Sequence, residues 1–123
     1  MKHVPPVRGN AIGLNFVGKW WGGVDLSNRT LLPEEFVGAV ESTAYWNNLE
    51  GAVETNNYLY DNNGVDSEVS VVWMADQLSD AGRTNAAGDN AMMNGCLLDD
   101  FWNGISVSVS NMTQFAASYD VYV

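Results

Sequence analysis

Cysteine and histidine are almost missing from this chain of 123 residues, which has one of each, Cys96 and His3. A single cysteine excludes an intrachain disulfide, and with it the disulfide-stapled kind of small secreted domain, so the composition fits a bacterial protein better. Cys96 sits in the apolar run Cys96-Leu97-Leu98 and reads as a small buried hydrophobe. His3 lies in an N-terminal segment expected to be loose, so no His-based triad or His-rich metal centre is expected. Basic residues are scarce too. Lys2, Arg8, Lys19, Arg29 and Arg83 face fifteen carboxylates, for a net charge of −10. The five are scattered along the chain, whereas a nucleic-acid binder needs clustered cations to neutralise phosphates. Such a surface repels DNA, RNA and anionic lipid. No apolar run approaches the roughly 18 residues of a membrane helix, and Met1 to Pro6 lacks the apolar centre of an export signal. The chain also has no phosphate-binding glycine loop, no GxSxG and no CxxC, which removes nucleotide, α/β-hydrolase and thiol-redox chemistry at the motif level.

What is present reads as all-β. Hydrophobic residues make up 46% and aromatics 11%, enough for one globular domain at this length. Residues 1–9 read as a flexible N-terminal segment and 10–123 as a single domain. Ile12, Leu14 and Phe16 alternate over a first strand. Residues 52–60 read as a strand and Asp61-Asn62-Asn63-Gly64 as a hairpin turn, rich in residues that tolerate positive φ. Residues 68–74 give the clearest strand, with Val69, Val71 and Trp73 on one face. Residues 76–89 read as a long polar loop, and long loops are where sites gather. Residues 91–102 fit a short helix or a strand. Residues 104–110 alternate strictly, Ile105, Val107 and Val109 against the serines, and residues 119–123 read as the start of another strand. About six strands with glycine-rich turns predict a β-sandwich or jelly roll of antiparallel strands.

Several strings occur in a set order: Ile12-Gly-Leu-Asn-Phe-Val-Gly18, Val37-Gly-Ala-Val40, Tyr45-Trp46-Asn47-Asn48-Leu49-Glu50-Gly51, Met92-Met93-Asn94-Gly95, Leu98-Asp99-Asp100 and Tyr119-Asp120-Val121-Tyr122-Val123. Together, over residues 10 to 123, they resemble a family of secreted β-sandwich modules from planctomycete and verrucomicrobial bacteria. Those modules carry "INFVG", "WNN", "MxGYLD" and "YDVYVY" strings. The resemblance implies a jelly-roll, galactose-binding-type fold and an extracellular or cell-surface setting. The chain departs from it at Cys96, where the family tends to have Tyr, and it ends where the family continues. The strand expected at 119–123 would then be an open edge, which invites pairing into a homodimer.

The leading expectation is a non-catalytic carbohydrate-binding or adhesive module. Trp20 and Trp21 flank glycines near a turn, and an exposed indole gives a flat apolar face for a sugar ring. The alternative puts one of the pair in the core and the other over it. Trp46, Asn47 and Asn48 read either as a polar patch beside an aromatic or as a core tryptophan with two asparagines bonding backbone. Residues 61–66 superficially resemble a calcium loop, but Val65 stands at the fifth place and Gly64 comes too early, so they read as a turn. If calcium binds at all, Asp89, Asp99 and Asp100 are the expected ligands. A second expectation is a small, metal-assisted polysaccharide hydrolase working with paired carboxylates. Asp99, Asp100, Glu50 and Glu54 are its candidate catalytic residues. A third is a structural oligomerisation domain.

Overall fold

The computed structural model describes residues 9–17, 30–38, 42–80, 88–92, 95–99 and 103–122. The protein is broadly all-β. Its strands are β1 (Leu14–Val17), β2 (Asn47–Glu50), β3 (Val53–Asn56), β4 (Ser70–Met74), β5 (Gln77–Asp80), β6 (Gly95–Leu98) and β7 (Ser106–Ser110). Among the described residues there are two helical turns, α1 (Asp89–Met92) between β5 and β6 and α2 (Met112–Phe115) after β7. The strands form three small sheets: β1-β2, β3-β4-β7 and β5-β6. The second and third are antiparallel, as expected. The first is parallel, with Leu14 opposite Asn47 and Val17 opposite Glu50. A parallel pair needs a long crossover, and the segment between Val17 and Asn47 supplies one.

The main core forms where β4 turns one face inward. Val69, Val71 and Trp73 are buried, while Val72 and Met74 between them are exposed, as the period-two alternation of a strand requires. Leu49 from β2 and Leu59 complete the buried cluster, and Ile12, Leu14, Phe16, Leu97, Met112 and Phe115 pack around it. The rings of Phe16 and Trp73 meet edge to face, centroids 5.9 Å apart, a favoured aromatic geometry. The Trp73 indole N–H donates to the Gly51 carbonyl at 2.8 Å. A smaller cluster holds Leu31, Val37 and Ala91, with Trp46 and Met92 against it.

Several sequence expectations are corrected. Residues 77–80 are not part of a loop. They pair with β6 from Gln77 opposite Leu98 to Asp80 opposite Gly95, and this partner overrides the weak local pattern of Gln-Leu-Ser-Asp. Residues 91–102 contain both of the alternatives, a helical turn ending at Met92 and then β6. Cys96 is exposed, not buried. Leu97 is the β6 residue that packs on the core, so strand alternation turns its neighbour outward. Residues 118–122 form no strand and their side chains are exposed. Among the described residues the edges of the three-stranded sheet are β3 and β7, and β7 is the edge nearer the end of the chain.

Candidate functional site

The turn read at residues 61–64 is a structural hub. Asp61 is fully buried, and its carboxylate accepts three backbone N–H bonds. These come from Gly9 at 2.7 Å, Asn63 at 2.9 Å and Val65 at 3.1 Å. Asn62 beside it grips the incoming chain. Its Oδ1 accepts the N–H groups of Asn10 and Ala11, and its own N–H donates to the Ala11 carbonyl. Gly64 adopts positive φ here, which glycine does at least cost. Among the described residues the donors to Asp61 are main-chain N–H groups, and those of Asn63 and Val65 close the turn.

Trp46, Asn47 and Asn48 sit where β2 begins, and their polar atoms turn inward. The Trp46 indole N–H donates to the Thr43 carbonyl at 3.0 Å. Its ring lies so close to Gly13 that a Cβ there would stand 2.6 Å from it. The Asn47 amide donates to the carbonyls of Gly13 and Tyr60, and its Oδ1 accepts the Tyr60 N–H at 2.8 Å. Asn48 bonds both backbone groups of Leu31 and accepts from the Asn15 amide. The asparagine pair therefore fastens three segments, residues 13, 31 and 60, to β2.

The described carboxylates among those proposed for chemistry either accept backbone N–H bonds or stand exposed on strands. Asp99 accepts the N–H groups of Asn103 at 3.2 Å and Gly104 at 3.0 Å. Asp89 accepts that of Gly38 at 3.0 Å. Glu50 and Glu54 are exposed, at the end of β2 and within β3. Among the described residues no three His, Cys, Asp or Glu side chains are grouped to hold a metal ion. Asp100, Trp20 and Trp21 lie outside the described residues.

An outward aromatic row is the feature that sequence reasoning missed. Tyr58 and Tyr60 are 68% and 50% exposed, on either side of the fully buried Leu59. Leu59 is anchored by backbone bonds to Ser67 and Val69, and alternation puts both tyrosines on the opposite side. Two residues of extended chain separate their origins by about 6–7 Å. Tyr60 forms an isolated bridge with Asp66, and Tyr45 lies against Gly64 of the same turn. Tyr45 and Tyr60 thus both border the turn of residues 61–66. The Tyr-Leu-Tyr alternation was visible in the sequence, overshadowed by the tryptophans.

Comparison of the chain with models of known protein families, with curated proteins and with solved structures finds no match to any of them.

Proposed function

We propose that the domain is a carbohydrate-binding or adhesive module that takes a neutral glycan on its outward tyrosines. The observation that carries this reading is the pair Tyr58 and Tyr60, held outward by the buried Leu59 between them. A phenol ring offers an apolar face to the C–H side of a sugar and a hydroxyl at its rim. The neighbouring Asp66 is exposed, and its carboxylate, which accepts the Glu68 N–H through Oδ1, adds acceptor oxygens for sugar hydroxyls. A net charge of −10 disfavours anionic polymers and leaves neutral ones compatible. Trp20 or Trp21 extends the same reading as a further stacking face. The three small sheets are taken as parts of a sandwich, a reading supported by the Phe16 ring of β1 meeting the Trp73 ring of β4. The setting proposed is the outside of a bacterial cell, on the resemblance of the strings alone.

The test is a panel of neutral polysaccharides, read by calorimetry and reducing-sugar release, with calcium and with EDTA. Binding without sugar release is expected. Tyr58→Ala and Tyr60→Ala are each expected to weaken it about tenfold, about 1.4 kcal/mol, with the urea midpoint unchanged. Trp20→Ala and Trp21→Ala are assayed beside them. Calcium-dependent affinity would assign a metal to the site, with Asp89, Asp99 and Asp100 as the first residues to replace. Sugar release would replace the binding reading by the hydrolase, with Asp99, Asp100, Glu50 and Glu54 as the residues to test. Affinity untouched by both tyrosine substitutions would remove the tyrosine row from the proposal.

A further inference from the structure

We propose that β7 is a self-pairing edge through which two copies of this chain join, merging their three-stranded sheets into one of six strands. The register sets which way its side chains face. Val109 stands opposite Val71 and Val107 opposite Trp73, so these pairs share one side of the sheet. Val71 and Trp73 are buried, yet Val109 and Val107 are 43% and 42% exposed, and Ile105 in the same row is 46% exposed. The core therefore ends beneath β4 and leaves the apolar row of β7 uncovered. β7 is also the last strand of its sheet, paired to β4 alone, so its outer backbone edge is open among the described residues. Natural edges are usually blunted by charge, proline or a bulge. From Ser106 to Ser110 the strand has none of these.

Charge and pattern together identify the occupant as a second copy. Two chains of net charge −10 repel, so they meet most cheaply where neither is charged. From Phe101 to Tyr119 no Asp, Glu, Lys or Arg occurs, the longest such run in the chain. β7 lies in the middle of that run. Its Ser-Val-Ser-Val-Ser pattern is also self-complementary. An antiparallel pair centred on Val107 sets Val107 across itself, Ile105 across Val109 and Ser106 across Ser108. Centring on Ser108 instead sets Val107 across Val109 and Ser106 across Ser110. In either register apolar residues meet apolar ones on one face and serines meet serines on the other, the condition that fixes a strand pair. Both registers are two-fold symmetric, so the contact closes at two copies. This proposal is independent of the glycan reading.

The test is sedimentation velocity on the full chain over a concentration series at low and at physiological salt. A dimer is expected, and it strengthens with salt as screening shortens the reach of like charge to about 8 Å. Ser108→Glu changes an exposed side chain and puts two carboxylates at the two-fold axis in the register centred on Ser108, or one across from each Ser106 in the register centred on Val107. Val107→Glu does the same on the apolar row. Each is expected to weaken association about tenfold or more, and Ser108→Glu is expected to keep the parent circular-dichroism spectrum, which separates lost pairing from lost folding. A chain that is monomeric throughout, a dimer retained by both variants, or a dimer that dissociates on adding salt each overturns the proposal.

Discussion

Asn47 shows what a single side chain contributes here. It is buried, and a buried amide is tolerated only when its donors and acceptor are met. Its three bonds, to Gly13, Tyr60 N–H and Tyr60 C=O, are 2.8 to 3.0 Å long. They join the N-terminal strand region, β2 and the arm of the 61–64 turn. Truncation leaves the two carbonyls and the Tyr60 N–H without that partner. Asn47→Ala is therefore expected to lower the unfolding free energy by about 2–4 kcal/mol, measured by urea denaturation. Ser118→Ala, an exposed control outside every strand, is expected to stay within about 0.5 kcal/mol. A loss below about 0.5 kcal/mol at Asn47 would mean that the loops hold without it. The sequence made Asn47 and Asn48 conspicuous without showing which way their amides turn. That direction depends on carbonyls delivered by residues 13, 31 and 60, and no local pattern announces their arrival. Tyr58 and Tyr60 are the reverse case. Their outward direction follows from the buried Leu59 between them, and this was legible as alternation.

At the scale of elements, strands with one buried face were readable and strands defined by a partner were not. β4 was clear because Val69, Val71 and Trp73 recur at period two, and these are the residues that the core buries. β7 was clear for the same reason. Its alternation, however, gave the facing and not the burial, since its apolar row stays half open to solvent. β5 and the parallel pairing of β1 with β2 come from long-range partners, for which a single sequence carries little signal. Asn15 on β1 is buried although the apolar alternation placed its face outward. Its amide reaches the Asn48 Oδ1 at 2.9 Å. The facing of β4 gives a paired prediction. Val71→Thr buries a hydroxyl in the main cluster and is expected to cost about 1–3 kcal/mol. Val72→Thr puts the same hydroxyl in water and is expected to change stability by less than about 0.5 kcal/mol. Equal costs by chemical denaturation would mean that β4 does not present the face described.

At the scale of the whole molecule, the governing quantity is fifteen carboxylates against five cations. Much of the acid is on the surface. Glu34, Glu50, Glu54, Asp66, Glu68, Asp89, Asp99 and Asp120 are all exposed. Like charges held on one compact surface repel more than they do in an expanded chain, so self-repulsion acts against the folded state. Salt screens that repulsion and leaves apolar burial in place. Raising sodium chloride from about 10 mM to about 150 mM shortens the screening length from about 30 Å to about 8 Å. The thermal midpoint at neutral pH is therefore expected to rise over that range, by a few degrees for each kcal/mol recovered. Ser108→Glu provides the control that separates folding from association. It weakens the β7 contact, so at concentrations where sedimentation finds that variant monomeric, a rise it retains belongs to the fold, and a rise that vanishes belongs to the β7 contact. A midpoint that falls with salt in both proteins would mean that attractive ion pairs outweigh repulsion, against the charge count on which the reading rests.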